Sequence, residues 1–189
     1  MLIAGVDEVG RGALAGPVTA AAVILNSNLK IEGLKDSKSL SVKKRKNLNK
    51  EIKNNSVDWS IASVDSKKID SINILQASLL AMEKAIKGLS KTPDMVLIDG
   101  QFSLDIAIPS FAIVKGDTKY QNIMAASILA KVSRDKLMEK FGRKYPKYGF
   151  ELHKGYPTKS HINKIKLVGP CAEHRLTFKP VRCIINKKF

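Results

Sequence analysis

Two adjacent carboxylates, Asp7 and Glu8, follow a short apolar run (Leu2, Ile3, Val6) and precede Gly10-Arg11-Gly12 and Ala15-Gly16-Pro17. The run reads as a buried strand and the glycines as a turn. Neighbours on a strand point to opposite faces, so Asp7 and Glu8 can share a site only near the strand's end, where twist or a bulge re-aims a side chain. Two carboxylates about 4 Å apart repel by roughly 4 kcal/mol at an effective dielectric of about 20, so a site that gathers them usually holds a cation. Gly10, Gly12 and Gly16 let the backbone turn and offer N–H groups to an anion, and Arg11 adds a fixed positive charge. Metal and phosphate would then meet at one point. Two blander readings compete: a strand ending in solvent beside an ordinary loop, and a dinucleotide site. The second fits poorly, because Gly10-x-Gly12-x-x-x-Gly16 departs from the G-x-G-x-x-G spacing and the preceding carboxylates would repel a pyrophosphate.

Two more apolar runs end in the same way. Met95 to Ile98 leads into Asp99-Gly100, and Phe111 to Val114 into Lys115-Gly116-Asp117. Open α/β sheets place their sites at this carboxyl edge. Asp7, Glu8, Asp99 and Asp117 form an all-oxygen ligand set suited to Mg²⁺ or Mn²⁺ rather than zinc. Four carboxylates can hold two ions about 4 Å apart, the arrangement that activates water and stabilises the leaving oxygen in phosphodiester hydrolysis. His153, His161, His174 and Cys171 match no zinc template and read instead as hydrogen-bonded structure or phosphate contacts. Asp135, deep in a predicted helix, reads as an ion-pair partner for a nearby Lys or Arg.

The elements that position these groups follow from periodicity. Val18–Leu25 is a second strand, paired back on the first as a hairpin, and Trp59–Val64 alternates as a third. With the runs at 95–98 and 111–114 the strand count is five. Ser39 or Ser41 caps a basic helix from about Val42 to Asn54. Leu75, Leu79, Met82, Ile86 and Leu89 stripe one face of a helix over Ile72–Leu89. A long helix spans about Lys119–Tyr145, where Ala125, Ala126, Ser127 and Ala130 allow close approach to a sheet. A short helix follows over Thr158–Leu167. No linker marks a second domain, so 1–145 is expected to be the catalytic core and 146–189 a basic helical segment of the same body.

The charge points to a polyanion. Lys and Arg number 33 against 17 Asp and Glu, for a net charge of +16. From Lys140 onward 13 basic residues face 2 acidic ones, so the C-terminal quarter is the expected electrostatic footprint. Aromatics among those cations suit nucleic acid. Two cysteines are too few for a disulfide framework, and no secretory leader or membrane span is legible, so a cytoplasmic protein with reduced thiols is expected.

Asp7-Glu8-Val9-Gly10-Arg11-Gly12, Asp36-Ser37-Lys38, Asp99-Gly100 and Lys115-Gly116-Asp117 occur in order with the run Ala125 to Asp135, His153-x-Gly155-Tyr156 and Gly169-Pro170-x-x-x-His174-Arg175. Together they resemble the bacterial type 2 ribonucleases H (ribonuclease HII) over nearly the whole chain. The resemblance implies a ribonuclease H-like fold, a five-stranded mixed sheet flanked by helices with a small helical C-terminal segment. It implies an endonuclease that hydrolyses the RNA strand of RNA/DNA hybrids and nicks 5′ of single ribonucleotides in duplex DNA, leaving 3′-hydroxyl and 5′-phosphate ends. Asp7, Glu8, Asp99 and Asp117 would be the metal-binding catalytic carboxylates. Gly10, Arg11 and Gly12 would contact the ribose 2′-hydroxyl and scissile phosphate, Lys38 a phosphate, and Tyr156 would stack on the sugar beyond the RNA-to-DNA junction. A monomer is expected, and a clamp-docking tail is not. Type 3 enzymes share the carboxylates but carry a further N-terminal domain, which is not expected here with the acidic pair at residue 7. A non-catalytic hybrid-binding module, or another nuclease or transposase on the same fold, are the rival readings.

Overall fold

The computed structural model describes residues 1–35 and 37–186, the Lys38 side chain excepted. Among these residues five strands form one sheet in the order β3-β2-β1-β4-β5: β1 (Ile3–Val9), β2 (Val18–Leu25), β3 (Ser56–Val64), β4 (Met95–Asp99) and β5 (Ser110–Ile113). β1 pairs antiparallel with β2 and parallel with β4, β2 pairs antiparallel with β3, and β4 parallel with β5. The sheet is therefore mixed, as expected.

Alternation along the strands sorts the core into two layers. Ala4, Val6, Val18, Ala20, Ala22, Val96 and Ile98 pack under α2 (Ser66–Lys87), through Ala77, Ala81, Met82 and Ala85. The odd-numbered Ala21 and Val23 face the opposite layer, built from α1 (Val42–Asn55) and α3 (Gln121–Lys144). α3 lies close because Gly5 has no side chain: a Cβ there would stand 2.1 Å from the Asn122 carbonyl carbon. Asn122 adds a hydrogen bond from its amide to the Ile3 carbonyl.

The helix starts follow local chemistry. Ser41 caps α1 by accepting from the Lys44 N–H, and Asp65 caps α2 by accepting from Lys68. α2 starts six residues before the stripe predicts and breaks at Asn73, whose φ of 65° is non-helical and whose side chain accepts from the Gln76 N–H at 3.1 Å. Asn73 thus ends one short helix and caps the striped one, which explains why periodicity catches only the second.

The C-terminal segment holds α4 (Phe150–His153), α5 (Lys159–Val168) and α6 (Lys179–Asn186). α4 is a single turn, too short to show a period, whereas α6 carries Val181, Ile184 and Ile185 on one face, a short stripe that the sequence reading passed over; α5 alone was expected. The segment docks on the loop between β1 and β2. Leu14 packs with Ile165, Val181 and Ile184, and Ala15 with Met138, Tyr148 and Phe150. Backbone bonds of 2.8 Å from Leu14 to Gly155, Gly16 to Glu173 and Arg175 to Leu14 complete the seam. Among the described residues no helix is long and apolar enough to cross a membrane.

Candidate active site

Strand register brings the first carboxylates together. Val6 on β1 pairs in parallel with Ile98 on β4, so the next residues, Asp7 and Asp99, are neighbours on the face that α3 covers. Asp7 is almost fully buried. Burial drives its pKa well above the ordinary carboxylate value, and the charges of Glu8 and Asp99 push the same way, against a hydrogen bond from Ser127. Its Oδ1 also accepts from the Glu8 N–H at 2.7 Å.

Glu8 reaches the cleft without the bulge considered above. Pairing of β1 with β2 runs unbroken to Val9, while the last β1–β4 pair is Val6 with Ile98, so Glu8 stands past the end of that ladder. Burial raises its pKa too, opposed first by Arg11, whose Nη1 lies 3.4 Å from Oε1. Glu8 Oε2 is buried with no hydrogen-bond partner among the described residues. An orphaned buried carboxylate oxygen beside two raised or repelling carboxyls is a donor set that a divalent cation would satisfy.

Asp99 Oδ1 accepts from the Gly116 N–H at 2.7 Å, tying β4 to the tight turn Gly116–Thr118. Asp117 is buried on that turn, outside the lining of the cleft. The structure thus brings Asp7, Glu8 and Asp99 into one cleft and leaves Asp117 on the adjoining turn. Among the described residues no three Asp, Glu, His or Cys side chains stand close enough to enclose an ion.

The cleft, about 510 Å³, is also lined by Gly10, Arg11, Gly12, Ser37, Ser127, Lys131 and Tyr156. Gly10 has φ of 96°, and a Cβ there would strike the Arg134 guanidinium at 2.2 Å. At Gly12 a Cβ would meet nothing within 4 Å, so protein packing does not demand glycine and an incoming ligand can approach the backbone. Tyr156 stands with its ring 5.4 Å from the Arg134 Cζ and 6.0 Å from Lys131 Nζ. The Lys38 side chain, expected on a phosphate, lies outside the described residues; Ser37 beside it bonds Ser127 at 2.9 Å.

Ser37, Ser127 and Lys131 stand in the motifs noted above but were not expected as site residues. Ser127 did carry a signal, a lone hydroxyl inside an apolar helical run. Asp135 pairs with Lys131 at 2.8 Å, as its helical position predicts.

The histidines gather away from the carboxylates. The Cys171 N–H donates to His174 Nδ1 at 2.9 Å, His174 Nε2 lies 3.1 Å from His161 Nε2, and His161 Nδ1 donates to the Tyr156 carbonyl at 2.9 Å. The two ends fix the tautomers: His174 carries its proton on Nε2 and donates it to His161. His153 stacks on His161 and bonds the Tyr148 carbonyl at 2.8 Å. Every ring is committed to an internal bond, which is the structural role and not a zinc site. Burial pushes the pKa of His161 and of His174 down to about 4.

Comparison with known proteins gives this geometry a family. Residues 4–181 match the sequence model of ribonuclease HII. The chain is 52% identical over 185 residues to a ribonuclease HII of Aliivibrio fischeri, covering 98% of this chain and 89% of the relative. It is 53% identical over 180 residues to a ribonuclease HII of Nitrosococcus oceani, covering 95% and 90%. The crystal structure of ribonuclease H2 from Pyrococcus horikoshii superposes with a TM-score of 0.82 at 28% identity, over 99% of this chain and 98% of that one. The five-stranded mixed sheet is accordingly a ribonuclease H-like fold. The chain belongs to the ribonuclease HII family and is a metal-dependent hydrolase that cuts RNA strands endonucleolytically.

Proposed function

We propose that this enzyme nicks duplex DNA immediately 5′ of an embedded ribonucleotide, as well as hydrolysing the RNA strand of RNA/DNA hybrids, leaving 3′-hydroxyl and 5′-phosphate ends. One observation carries the reading: Asp7, Glu8 and Asp99 share a single cleft with the open backbone at Gly12 and the ring of Tyr156. Groups able to hold cations and groups able to read a sugar are within one substrate's reach. A 2′-hydroxyl is the only feature that marks one ribonucleotide in DNA, and backbone at an open glycine can approach it.

Asp7, Glu8 and Asp99, joined by Asp117 from the turn tied to Asp99, would hold two divalent ions, Mg²⁺ or Mn²⁺, which supply activation of the attacking water and neutralisation of charge on the leaving oxygen. The Arg11 and Lys131 side chains add positive charge where a scissile phosphate would lie. Gly10, Arg11 and Gly12 contact the ribose and phosphate, Lys38 a neighbouring phosphate, and Tyr156 the sugar beyond the junction. Exposed Lys159, Lys164, Lys166, Lys179 and Arg182 in the 146–189 segment suit the flanking duplex, and the enzyme is proposed to act as a monomer. Cys171 and Cys183 are free, in keeping with a cytoplasmic setting.

The test is a labelled DNA duplex containing one ribonucleotide, incubated with Mg²⁺ or Mn²⁺. A product ending in a 3′-hydroxyl just before the ribonucleotide is expected. Cleavage of an RNA/DNA hybrid with the single-ribonucleotide duplex left intact would overturn the junction reading.

A further inference from the structure

Two arginines are wholly buried between the sheet end and the C-terminal segment, Arg134 on α3 and Arg175 after α5. Among the described residues neither makes an ion pair; both spend their donors on backbone carbonyls. Arg175 donates to Gly10 at 2.7 Å, Arg11 at 2.8 Å and Gly16 at 2.9 and 3.0 Å. Arg134 donates to Pro17 at 2.9 Å, Ala15 at 3.1 Å and Lys154 at 2.9 Å.

A buried cation without a counter-ion is costly, and a packed core could replace it with apolar side chains. What the guanidinium does that no apolar group can is to fix the direction of peptide planes. In a trans peptide the C=O and the N–H of the next residue point opposite ways. Once Arg175 draws in the Gly10 and Arg11 carbonyls, the N–H groups of Arg11 and Gly12 must point away from it, and both residues line the cleft. Arg134 braces the other side, joining Ala15 and Pro17 to Lys154, two residues before Tyr156.

We propose that Arg134 and Arg175 are positioning residues for ribonucleotide recognition: together they aim the Arg11 and Gly12 N–H groups into the cleft and hold Tyr156 at a set distance from them. The proposal rests on the reading that this glycine loop and Tyr156 recognise the junction. A lysine at either position offers one point of donation in place of a planar fork, so the peptide planes lose their common frame while the charge stays. The like charges also crowd each other: burial first, and then the Arg134 guanidinium, lower the pKa of Arg175. Structural glue alone would not require six of these seven bonds to converge on carbonyls of residues 10–17.

The experiment compares equilibrium binding of a DNA duplex with one ribonucleotide and the same duplex without it, in Ca²⁺, for the wild type, Arg134→Lys, Arg175→Lys and Tyr156→Ala. Each variant is first checked for cooperative unfolding. The wild type is expected to prefer the ribonucleotide duplex, and each Arg→Lys variant to lose about tenfold of that preference, the worth of one good hydrogen bond, with all-DNA binding unchanged. Equal weakening on both duplexes, or full preference in both lysine variants, overturns the proposal. Should a variant not fold, ¹⁵N shifts of the wild-type Arg11 and Gly12 amides decide the matter: they should move with the ribonucleotide duplex and stay still with all-DNA. Amides that respond alike to both overturn it. If the wild type shows no preference, or Tyr156→Ala retains all of it, the underlying junction reading fails first and takes the proposal with it.

Discussion

Among the described residues, the His and Cys side chains of the C-terminal segment and the carboxylates at the sheet edge are completed in opposite ways. In the C-terminal segment Cys171, His174 and His161 form a directed chain of hydrogen bonds anchored on backbone at both ends. At the sheet edge Asp7 is buried and Glu8 partly so, burial raises the pKa of both, and Glu8 Oε2 lacks a partner among the described residues. A polar group satisfied inside the protein stabilises the fold, whereas one left buried and unmet destabilises it unless something from outside binds. By residue type alone the histidines and cysteine are the better-known ligands of transition metals. Satisfaction, rather than residue type, separates scaffold from site.

The sharpest way to break this contrast is Asp7→Asn. Cleavage of the RNA strand of a hybrid in Mg²⁺ should fall about 10³-fold in kcat. Stability should hold or rise, because the amide removes a buried carboxyl that its neighbours disfavour. Millimolar Mg²⁺ should raise the wild-type Tm and leave the variant's Tm unmoved. A variant melting several degrees below the wild type would make Asp7 a structural residue and erase the distinction.

Acid should attack the other cluster. With folded-state pKa values near 4 against an ordinary 6.5, His161 and His174 bind fewer protons folded than unfolded across that interval. Their contribution to stability is complete above pH 6.5 and is lost as the pH falls toward 4, with a slope approaching 1.4 kcal/mol per pH unit for each ring. Asp7 works in the reverse sense: its folded pKa is raised, so its contribution is present at low pH and fades as the pH rises through that value. Urea unfolding between pH 7 and 4.5 measures the sum, and His174→Asn should flatten the acid slope. An unchanged slope would mean that the rings are already charged in the folded protein.

Local pattern was enough for much of the sheet and little of the C-terminal segment. Val18–Leu25 is all β-formers and small apolars and is found with its predicted ends; Asp7 and Asp99 share a sheet edge because each closes an apolar run. Asn73 splits α2 through its own side chain, a local event that an apolar stripe does not register. The histidines read as hydrogen-bonded structure and are found so, but Arg134 and Arg175 were illegible as structure for a different reason. Their partners lie up to 165 residues away and are backbone carbonyls, which carry no residue identity to read. Basic residues there counted as nucleic-acid footprint, yet Arg175 is wholly buried and serves the glycine loop instead.

Tyr156 joins the two clusters and so sharpens the comparison. Its carbonyl accepts a hydrogen bond from His161 Nδ1, while its ring lines the cleft. Tyr156→Ala keeps the carbonyl and removes the ring, so the histidine chain should survive and stability should change little. Cleavage beside a single ribonucleotide should drop about tenfold, the scale of one aromatic stacking contact. Steady-state rates on the ribonucleotide duplex and a plain hybrid, read beside the urea midpoint, check both halves of the statement.

The smallest effect is expected at Asp135, an acid near the cleft that is finished in the manner of the histidines. Its ion pair with Lys131 joins positions four apart on α3, and both side chains are about 20% exposed. Such a pair contributes a few tenths of a kcal/mol. Asp135→Asn should therefore move the urea midpoint slightly and leave hybrid cleavage within about twofold, because the acid already has its cation and none of its demand is left for an incoming ion. A loss as deep as that of Asp7→Asn would show that an internally paired carboxylate can still be catalytic here, and satisfaction would no longer tell scaffold from site.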